Sequence, residues 1–124
     1  MKLQALIVGL TLVQFGGVTA AWSAGDAMRG ETLYESRCIG CHALDANRVG
    51  PMHRGVYGRK AGAVAGFAYS EAVARSDIVW TDQTLDRWLT DPQALIPGQR
   101  MNVRVNKAED RADLIAYLKR ESAG

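Results

Sequence analysis

The sequence predicts a small all-α domain, in which several short helices are joined by long loops. Three observations support this fold class. Leu114, Tyr117 and Leu118 recur at helical spacing near the C-terminal end. No segment sustains the alternation of polar and apolar residues that a half-buried strand shows. The segment from Asp45 to Gly66 is rich in glycine and contains Pro51, which predicts a long loop, and a compact domain keeps such a loop when it wraps something.

The first helices are predicted in order from their capping residues and apolar spacing. The first covers Asp26 to Arg37. Ser70 can cap a short helix over Glu71 to Arg75, and Thr81 can cap another over Asp82 to Thr90. Each cap supplies a side-chain oxygen that accepts from a free backbone N–H of the first turn.

Two further signals bound the end of the third helix and the start of the last. Asp91-Pro92 is expected to end the third helix, because the residue before a proline disfavours the helical conformation. Asn106 is expected to cap the last helix, and Glu109 completes a capping-box pattern three positions later. The length of 124 residues, with no repeat or linker, predicts one domain.

The N-terminal segment has the pattern of a secretory signal peptide. Lys2 supplies a positive start, and the segment from Leu3 to Val13 is almost entirely apolar. Two small-x-small sites place the cleavage between residues 20 and 24, so we expect a signal peptide over 1–24 and one domain over 25–124. The alternative is a retained membrane anchor, but the apolar run is shorter than the ~20 residues that a spanning helix needs.

Charge excludes one broad class of function. Removal of Lys2 leaves 14 basic and 13 acidic residues, which are interspersed along the chain. A nearly neutral domain without a basic patch is not expected to bind nucleic acid.

The two cysteines carry the chemical signature of the sequence. Cys38-Ile39-Gly40-Cys41-His42 is the C-x-x-C-H pattern of haem c attachment. Two thiols three positions apart can each add to one vinyl group on the same haem edge. The adjacent His42 can then donate an imidazole nitrogen to the iron. The sequence therefore predicts one haem c, bound covalently through Cys38 and Cys41.

The cysteine pair has two other interpretations. A redox-active dithiol of the thioredoxin type usually opens a helix after a strand, and no strand is predicted here. A structural zinc needs four ligands, which Cys38, Cys41, His42 and His53 could supply in number. His42 directly follows Cys41, however, which is not a typical zinc spacing.

A haem iron used for electron transfer usually has a second axial ligand. The candidates in the predicted mature chain are His53, Met28, Met52 and Met101. The Pro-Gly loop over residues 96–100 favours Met101, because an irregular loop can direct a side chain inward. A thioether ligand would stabilise ferrous iron and raise the reduction potential.

Beyond the haem attachment motif, the sequence resembles the class I cytochromes c, and specifically the bacterial relatives of mitochondrial cytochrome c. The resemblance covers Gly25 to about Lys119 and does not rest on C-x-x-C-H alone. The motifs that carry it are Gly25-Asp26 with Gly30 and Tyr34, Gly50-Pro51, Gly55 to Gly62, Gly66 to Tyr69, Trp80, Ile96 to Met101, and Asp113 to Leu118. It implies a small cytochrome c fold, with loops wrapped around the haem and with Gly30 and Tyr34 crossing Leu114 and Tyr117.

The resemblance also implies a role for each site residue. His42 would be the proximal ligand, oriented by a hydrogen bond to the Pro51 carbonyl, and Met101 would be the distal ligand. Arg59, Tyr69 and Trp80 would surround a buried haem propionate, and their donors would offset the cost of its charge. On the residues alone, Tyr69 and Trp80 are expected to be ordinary core aromatics.

The chain departs from the family pattern at several positions. His53 lies in a segment that is usually polar and then apolar, and we expect it at the edge of the site, exposed or hydrogen-bonded, with a possible role as a titrating group. Trp88 stands where many members have a tyrosine that bonds the methionine sulfur. Val103 replaces an aromatic residue common beyond the ligand. The lysine ring of mitochondrial relatives is reduced to a few cations near the haem edge: Arg37, Arg100, Arg104 and Lys107.

The resemblance implies one-electron transfer, not enzymatic catalysis, and the export signal together with a covalent haem indicates the bacterial periplasm. Partners would be a bc-type complex, a terminal oxidase, a reaction centre or a dehydrogenase, docking on a monomer near Arg37 and Arg100. A gas- or peroxide-binding haem protein is the first alternative, and it requires that Met101 does not ligate. A thiol–disulfide oxidoreductase and a membrane-tethered subunit of an oxidase or dehydrogenase are the others.

Overall fold

Five α-helices form the domain in the computed structural model, which describes residues 9, 12–14, 16–17 and 24–124. The helices are α1 (Ala27–Arg37), α2 (Glu71–Ala74), α3 (Asp82–Thr90), α4 (Pro92–Leu95) and α5 (Ala108–Arg120). In the described part, strand pairing is limited to one isolated antiparallel bridge between Lys60 and Val79. The all-α prediction is confirmed. The predicted signal peptide and its cleavage sites lie largely outside the described residues, and no described helix is long and apolar enough to cross a membrane.

The crossing of α1 and α5 closes the fold, as the resemblance implied. Gly30 is buried so close to α5 that a methyl group on its Cα would overlap with the Asp113 carbonyl. One turn later, Tyr34 packs its ring 5.1 Å from that of Tyr117, measured between centroids. Glycine at the contact point is therefore a steric requirement of the close approach between the two helices.

A hydrogen-bonded carboxylate fixes the start of α1 against α5. Asp26 caps α1 by accepting from the N–H groups of Met28 and Arg29. The backbone N–H of Asp26 donates in turn to the carboxylate of Asp113, 2.7 Å away and almost fully buried. The Asp26 side chain therefore satisfies free N–H groups at the start of α1, and the bond from its backbone N–H to Asp113 joins the first helix to the last.

The α3–α4 corner differs from the prediction. Thr81 caps α3 through a reciprocal capping box with Thr84, and α3 ends at Thr90 as expected. Pro92, however, also begins a further helix, α4, whose N-cap is Asp91. Proline at the first position of a helix loses no hydrogen bond, because that N–H has no intrahelical partner.

The predicted cap of the last helix is wrong. The N-cap of α5 is Lys107, which makes no side-chain cap hydrogen bond. The carbonyl of Asn106 is bound by the guanidinium of Arg111, and the helical ladder begins one residue later, with Arg111 N–H donating to Lys107. Glu109 and Asp110 in the first turn complement the helix dipole in place of a cap.

Candidate haem site

The C-x-x-C-H motif leaves the end of α1 as a tight turn. Cys38 is the C-cap of α1, and its carbonyl accepts from the N–H groups of Cys41, at 3.1 Å, and His42, at 2.9 Å. These bonds fold the motif back on itself, so that both thiols and the imidazole line one cavity.

This cavity brings together every residue that the sequence assigned to the cofactor. Its volume is about 360 Å³, within the range of small-molecule and cofactor sites. The predicted cofactor residues on its lining are Cys38, Cys41, His42, Pro51, Arg59, Tyr69, Trp80 and Met101. They come from the C-cap of α1 and the turn after it, from the segment between α1 and α2, from the segment before α3 and from the segment after α4, so the fold, rather than local spacing, assembles the site.

The His42 ring is held in the orientation of a ligand. Its Nδ1 donates to the Pro51 carbonyl at 2.9 Å, which leaves Nε2 as the nitrogen with a free lone pair. Burial lowers the pKa of His42, partly offset by the hydrogen bond to Pro51, and the charge of Arg48 lowers the pKa further. The lowered pKa favours the neutral imidazole, which is the form that binds a metal.

His53 does not lie exposed at the edge of the site. Its ring stacks on that of His42, with centroids 3.9 Å apart and an angle of 17° between the planes. Its Nδ1 is hydrogen-bonded to the hydroxyl of Tyr34 at 2.9 Å. Burial, with the charges of His42 and Arg59, lowers the pKa of His53 to about 3. His53 is therefore hydrogen-bonded rather than exposed, and its ring lies on the same side of the cavity as His42, which does not fit a second ligand opposite His42.

The methionines separate clearly. The side chain of Met28 is 76% exposed on α1, and Met52 does not line the cavity. Met101 does line it, and its N–H donates to the side-chain oxygen of the buried Gln99. Gly98, with φ of +94°, makes the turn that precedes them. Met101 is thus the methionine that the loop presents to the cavity.

Three side chains on the lining of the cavity carry hydrogen-bond donors: Arg59, Tyr69 and Trp80. Trp80 is 7% exposed, and its indole N–H makes no hydrogen bond within residues 24–124, so it is available to an acceptor in the cavity. The Tyr69 hydroxyl accepts from the N–H of Val64 at 3.0 Å and keeps its own proton to donate. Arg59 donates to the Met52 carbonyl at 2.9 Å, with further N–H groups remaining.

Two departures from the family pattern show their consequences here. Trp88 lies against Trp80, with ring centroids 5.2 Å apart, and in the described residues it donates no hydrogen bond to Met101. Val103 lines the cavity and is 39% exposed. The side of the cavity after Met101 is therefore open, and Trp88 contributes packing rather than a hydrogen bond to the sulfur.

The residues present fit a haem c and do not favour the other two interpretations. Burial raises the pKa of the Cys38 thiol to about 11, with Arg37 lowering it and Cys41 raising it, whereas a redox-active dithiol needs a lowered pKa. Within residues 24–124, no three His, Cys, Asp or Glu side chains converge as a metal site would require. A neutral imidazole, a thioether and two thiols around one apolar cavity match a covalently bound haem.

Comparison with known proteins decides the family. The family model described as "Cytochrome c" matches residues 27–121. The chain belongs to the cytochrome c family. It is 45% identical to "Cytochrome c 2.1" of Caenorhabditis elegans over 103 residues, which cover 81% of this chain and 93% of that protein. It is 46% identical to "Cytochrome c" of Euglena viridis over 98 residues, which cover 77% of this chain and 96% of that protein.

The fold comparison agrees. Cytochrome cH from Methylobacterium extorquens superposes with a TM-score of 0.74 at 39% identity, over 77% of this chain and 99% of that one. This cytochrome c is a class I c-type cytochrome, an electron carrier and not an enzyme, and it acts with redox partner proteins. Members of the family carry one haem c attached through a cysteine pair, and Cys38 and Cys41 are the two cysteines of the chain.

The sequence did not reveal the long-range contacts between the residues that support the cavity lining. Arg111 of α5 pairs with Asp86 of α3 at 2.7 Å and also donates to the Val105 carbonyl at 2.9 Å. No local pattern marks such a long-range pair. The Tyr34–His53 contact was equally unforeseen, although the unusual position of His53 in its segment was a usable signal.

Proposed function

We propose that this cytochrome c is a periplasmic one-electron carrier whose haem iron is six-coordinate, with His42 and Met101 as axial ligands. One observation supports this most strongly: His42, with Nδ1 engaged by Pro51, and Met101, turned inward by the Gln99 loop, line the same cavity. When bound, haem c supplies an iron that gains and loses one electron. The protein's contribution is to hold both ligands and to keep water from the iron.

The cofactor residues divide the remaining tasks. Cys38 and Cys41 fix the group covalently, so that its position does not depend on the ligand bonds. Tyr69, Trp80 and Arg59 offer donors to a carboxylate that would otherwise be buried without a partner. A rigid, preorganised set of this kind changes little between oxidation states, which keeps reorganisation small.

A partner is proposed to dock at the mouth of the cavity. Arg37 and Arg100 are exposed and line the cavity, so they mark this mouth. Arg37 is already paired with Asp110 at 3.1 Å, whereas Arg100 donates only to the Ala68 carbonyl among the described residues. Arg100 therefore has the freer charge for steering an acidic partner, such as a bc-type complex, oxidase, reaction centre or dehydrogenase, onto a monomeric carrier.

Export to the periplasm is proposed from the N-terminal sequence. A positive start, a short apolar run and small-residue cleavage sites are the features of a secretory signal, and cleavage between residues 20 and 24 would release the domain. The intact mass of the protein from a periplasmic fraction tests this directly. It should equal the chain from a residue between 21 and 25 plus one haem, whereas the uncleaved mass in a membrane fraction would indicate a tethered form instead.

Absorption spectra test the ligands. The oxidised protein should show the weak sulfur-to-iron charge-transfer band at the red end of the spectrum, and Met101→Leu should abolish that band while the haem stays attached. The matched controls are Met28→Leu and Met52→Leu, which remove a methionine outside the cavity and should leave the band intact. A band that survives Met101→Leu would show that another sulfur is the ligand, and a band absent from the native protein would indicate a different ligand or an open, ligand-binding iron; either result would contradict the assignment of Met101.

A further inference from the structure

The proximal His42 ring is enclosed on three sides by protein. The Pro51 carbonyl holds its Nδ1 edge, and the His53 ring covers one face in a nearly parallel stack. A methyl group on the Cα of Gly50 would overlap with Cε1, Nδ1 and Nε2 of His42 before it met any atom of His53. The Gly50 backbone therefore covers the opposite face of the His42 ring.

His53 is itself held in place by contacts on both its backbone and its ring. Its N–H donates to the Ala43 carbonyl at 3.1 Å, and its Nδ1 is bonded to the Tyr34 hydroxyl at 2.9 Å. Tyr34 is 3% exposed and is anchored in α1, where it packs on Tyr117 of α5. The position of the His53 ring is thus set by the α1–α5 crossing.

We propose that Tyr34 and His53 form a positioning pair that fixes the plane of the His42 imidazole about its Cβ–Cγ bond. The proposal rests on the proposed role of His42 as an axial ligand. The hydrogen bond to Pro51 fixes one edge of the ring and the Gly50 backbone limits its movement toward one face, but these two contacts still permit some rotation about the Cβ–Cγ bond toward the other face. A second ring stacked at 3.9 Å does not, because rotation would drive the two rings into each other.

The plane of the ring matters because it sets the direction of the imidazole π orbital that overlaps with the iron. In the ferric protein this direction determines how unpaired spin is distributed over the four haem methyl groups. Proton NMR reads that distribution as four shifted methyl resonances. The sulfur lone pair of Met101 also contributes to this pattern, but no variant below changes Met101, so a change in the order or spread of the resonances reports the ring plane. Loss of stability alone does not change the pattern of the protein that remains folded.

Four variants separate the hydrogen bond from the stack. Tyr34→Phe and His53→Phe each remove the hydrogen bond and keep the rings, so both should shift the methyl resonances in the same way. The double variant should add nothing beyond either single change, since both remove one bond. His53→Leu removes the stack as well and should give the larger shift.

Tyr117→Phe is the matched control. Tyr117 contacts Tyr34, but its hydroxyl makes no hydrogen bond within residues 24–124, so this variant should keep the native pattern. An unchanged pattern in His53→Leu, or an equal change in Tyr117→Phe, would overturn the proposal. A change in His53→Leu with none in Tyr34→Phe would overturn the part assigned to the tyrosine hydroxyl.

The experiment also separates this proposal from the proposed six-coordinate carrier. A native ferric protein that is high-spin by electron paramagnetic resonance would contradict the His42/Met101 ligand pair. The iron–histidine stretch in the Raman spectrum of the ferrous protein would then still respond to Tyr34→Phe if the pair positions His42, and would be unchanged if it does not.

Discussion

Arg111 offers the sharpest test of how the distal methionine loop is held. Its side chain is 12% exposed, and it makes three bonds: to the Asp86 carboxylate at 2.7 Å and to the carbonyls of Val105 and Asn106 at 2.9 and 3.0 Å. Val105, four residues beyond Met101, also donates to the Leu89 carbonyl at 2.7 Å. Arg111 therefore ties the end of the methionine loop to both α3 and α5.

Arg111→Met keeps the length of the side chain and removes all three bonds. At about 1 kcal/mol for each bond, the free energy of unfolding should fall by about 3 kcal/mol. Asp86, which is 22% exposed, also loses its counter-charge, so this loss of about 3 kcal/mol is a lower bound. Urea unfolding of the haem-loaded protein measures the loss.

The three bonds of Arg111 form a clamp on the end of the loop that carries Met101, and the position of this clamp predicts a second effect. If Met101 ligates the ferric iron as proposed, added imidazole can bind only when Met101 leaves, so the apparent affinity for imidazole should rise about tenfold for every 1.4 kcal/mol by which the variant eases loop opening. Arg104→Met is the control, because Arg104 is 61% exposed in its 3.2 Å pair with Asp91 and should contribute under about 0.5 kcal/mol. Equal destabilisation by the two variants, or an unchanged affinity for imidazole in Arg111→Met, would refute the clamp.

Two further predictions follow from the helix contacts and the surface charges. Gly30→Ala places a methyl group against the Asp113 carbonyl and should lower the free energy of unfolding in urea by about 3 kcal/mol. The control is Gly40→Ala, whose Cβ meets no atom within 4 Å and which should lower it far less. Similar losses in the two variants would contradict the close crossing of α1 and α5. The hydrogen bond from Arg54 lowers the pKa of the Asp45 carboxyl below 3.8, so this carboxylate favours folding above that pH and the contribution is lost as the pH falls through the lowered pKa. A carbon-13 NMR titration should find the midpoint below 3.8 and should find it restored in Arg54→Gln; an unchanged midpoint in the variant would show that Arg54 is not the cause.

The parts of the fold that local rules govern were predictable. Ser70 and Thr81 cap α2 and α3 as predicted, whereas Asp26, expected as the first residue of the first helix, is its N-cap. The C-x-x-C-H spacing predicted the haem c that members of the family carry. Asn106 was misassigned because its carbonyl is bound by Arg111, a contact within the assembled fold that competes with the cap. Helix α4 was missed because Pro92 ends one helix and begins the next.

The site divides in the same way. His42 was indicated by the C-x-x-C-H motif, Met101 was favoured by its Pro-Gly loop, and Pro51 was implied by the family resemblance; the structure places all three on one cavity. His53 could be recognised as unusual, but its stack on His42 and its bond to Tyr34 depend on how the long loop returns to α1. Asp86 and Arg111 are ordinary charged residues in sequence, and only the packing of α3 on α5 makes them a pair.

The contact between α1 and α5 has a consequence for the integrity of the molecule. Residues 38–107 lie between these two helices in the sequence, so the contact between α1 and α5 closes this segment into a loop without a covalent bond. The entropic cost of closing a loop grows only with the logarithm of its length. The contact between α1 and α5 therefore meets the cost of closing this long loop once, and each shorter loop inside it adds less. A single backbone cut between residues 45 and 66 would leave the cysteines on one fragment and Met101 on the other, with both fragments still joined at the Gly30–Asp113 crossing. The protein is in this sense two complementary pieces around one cavity.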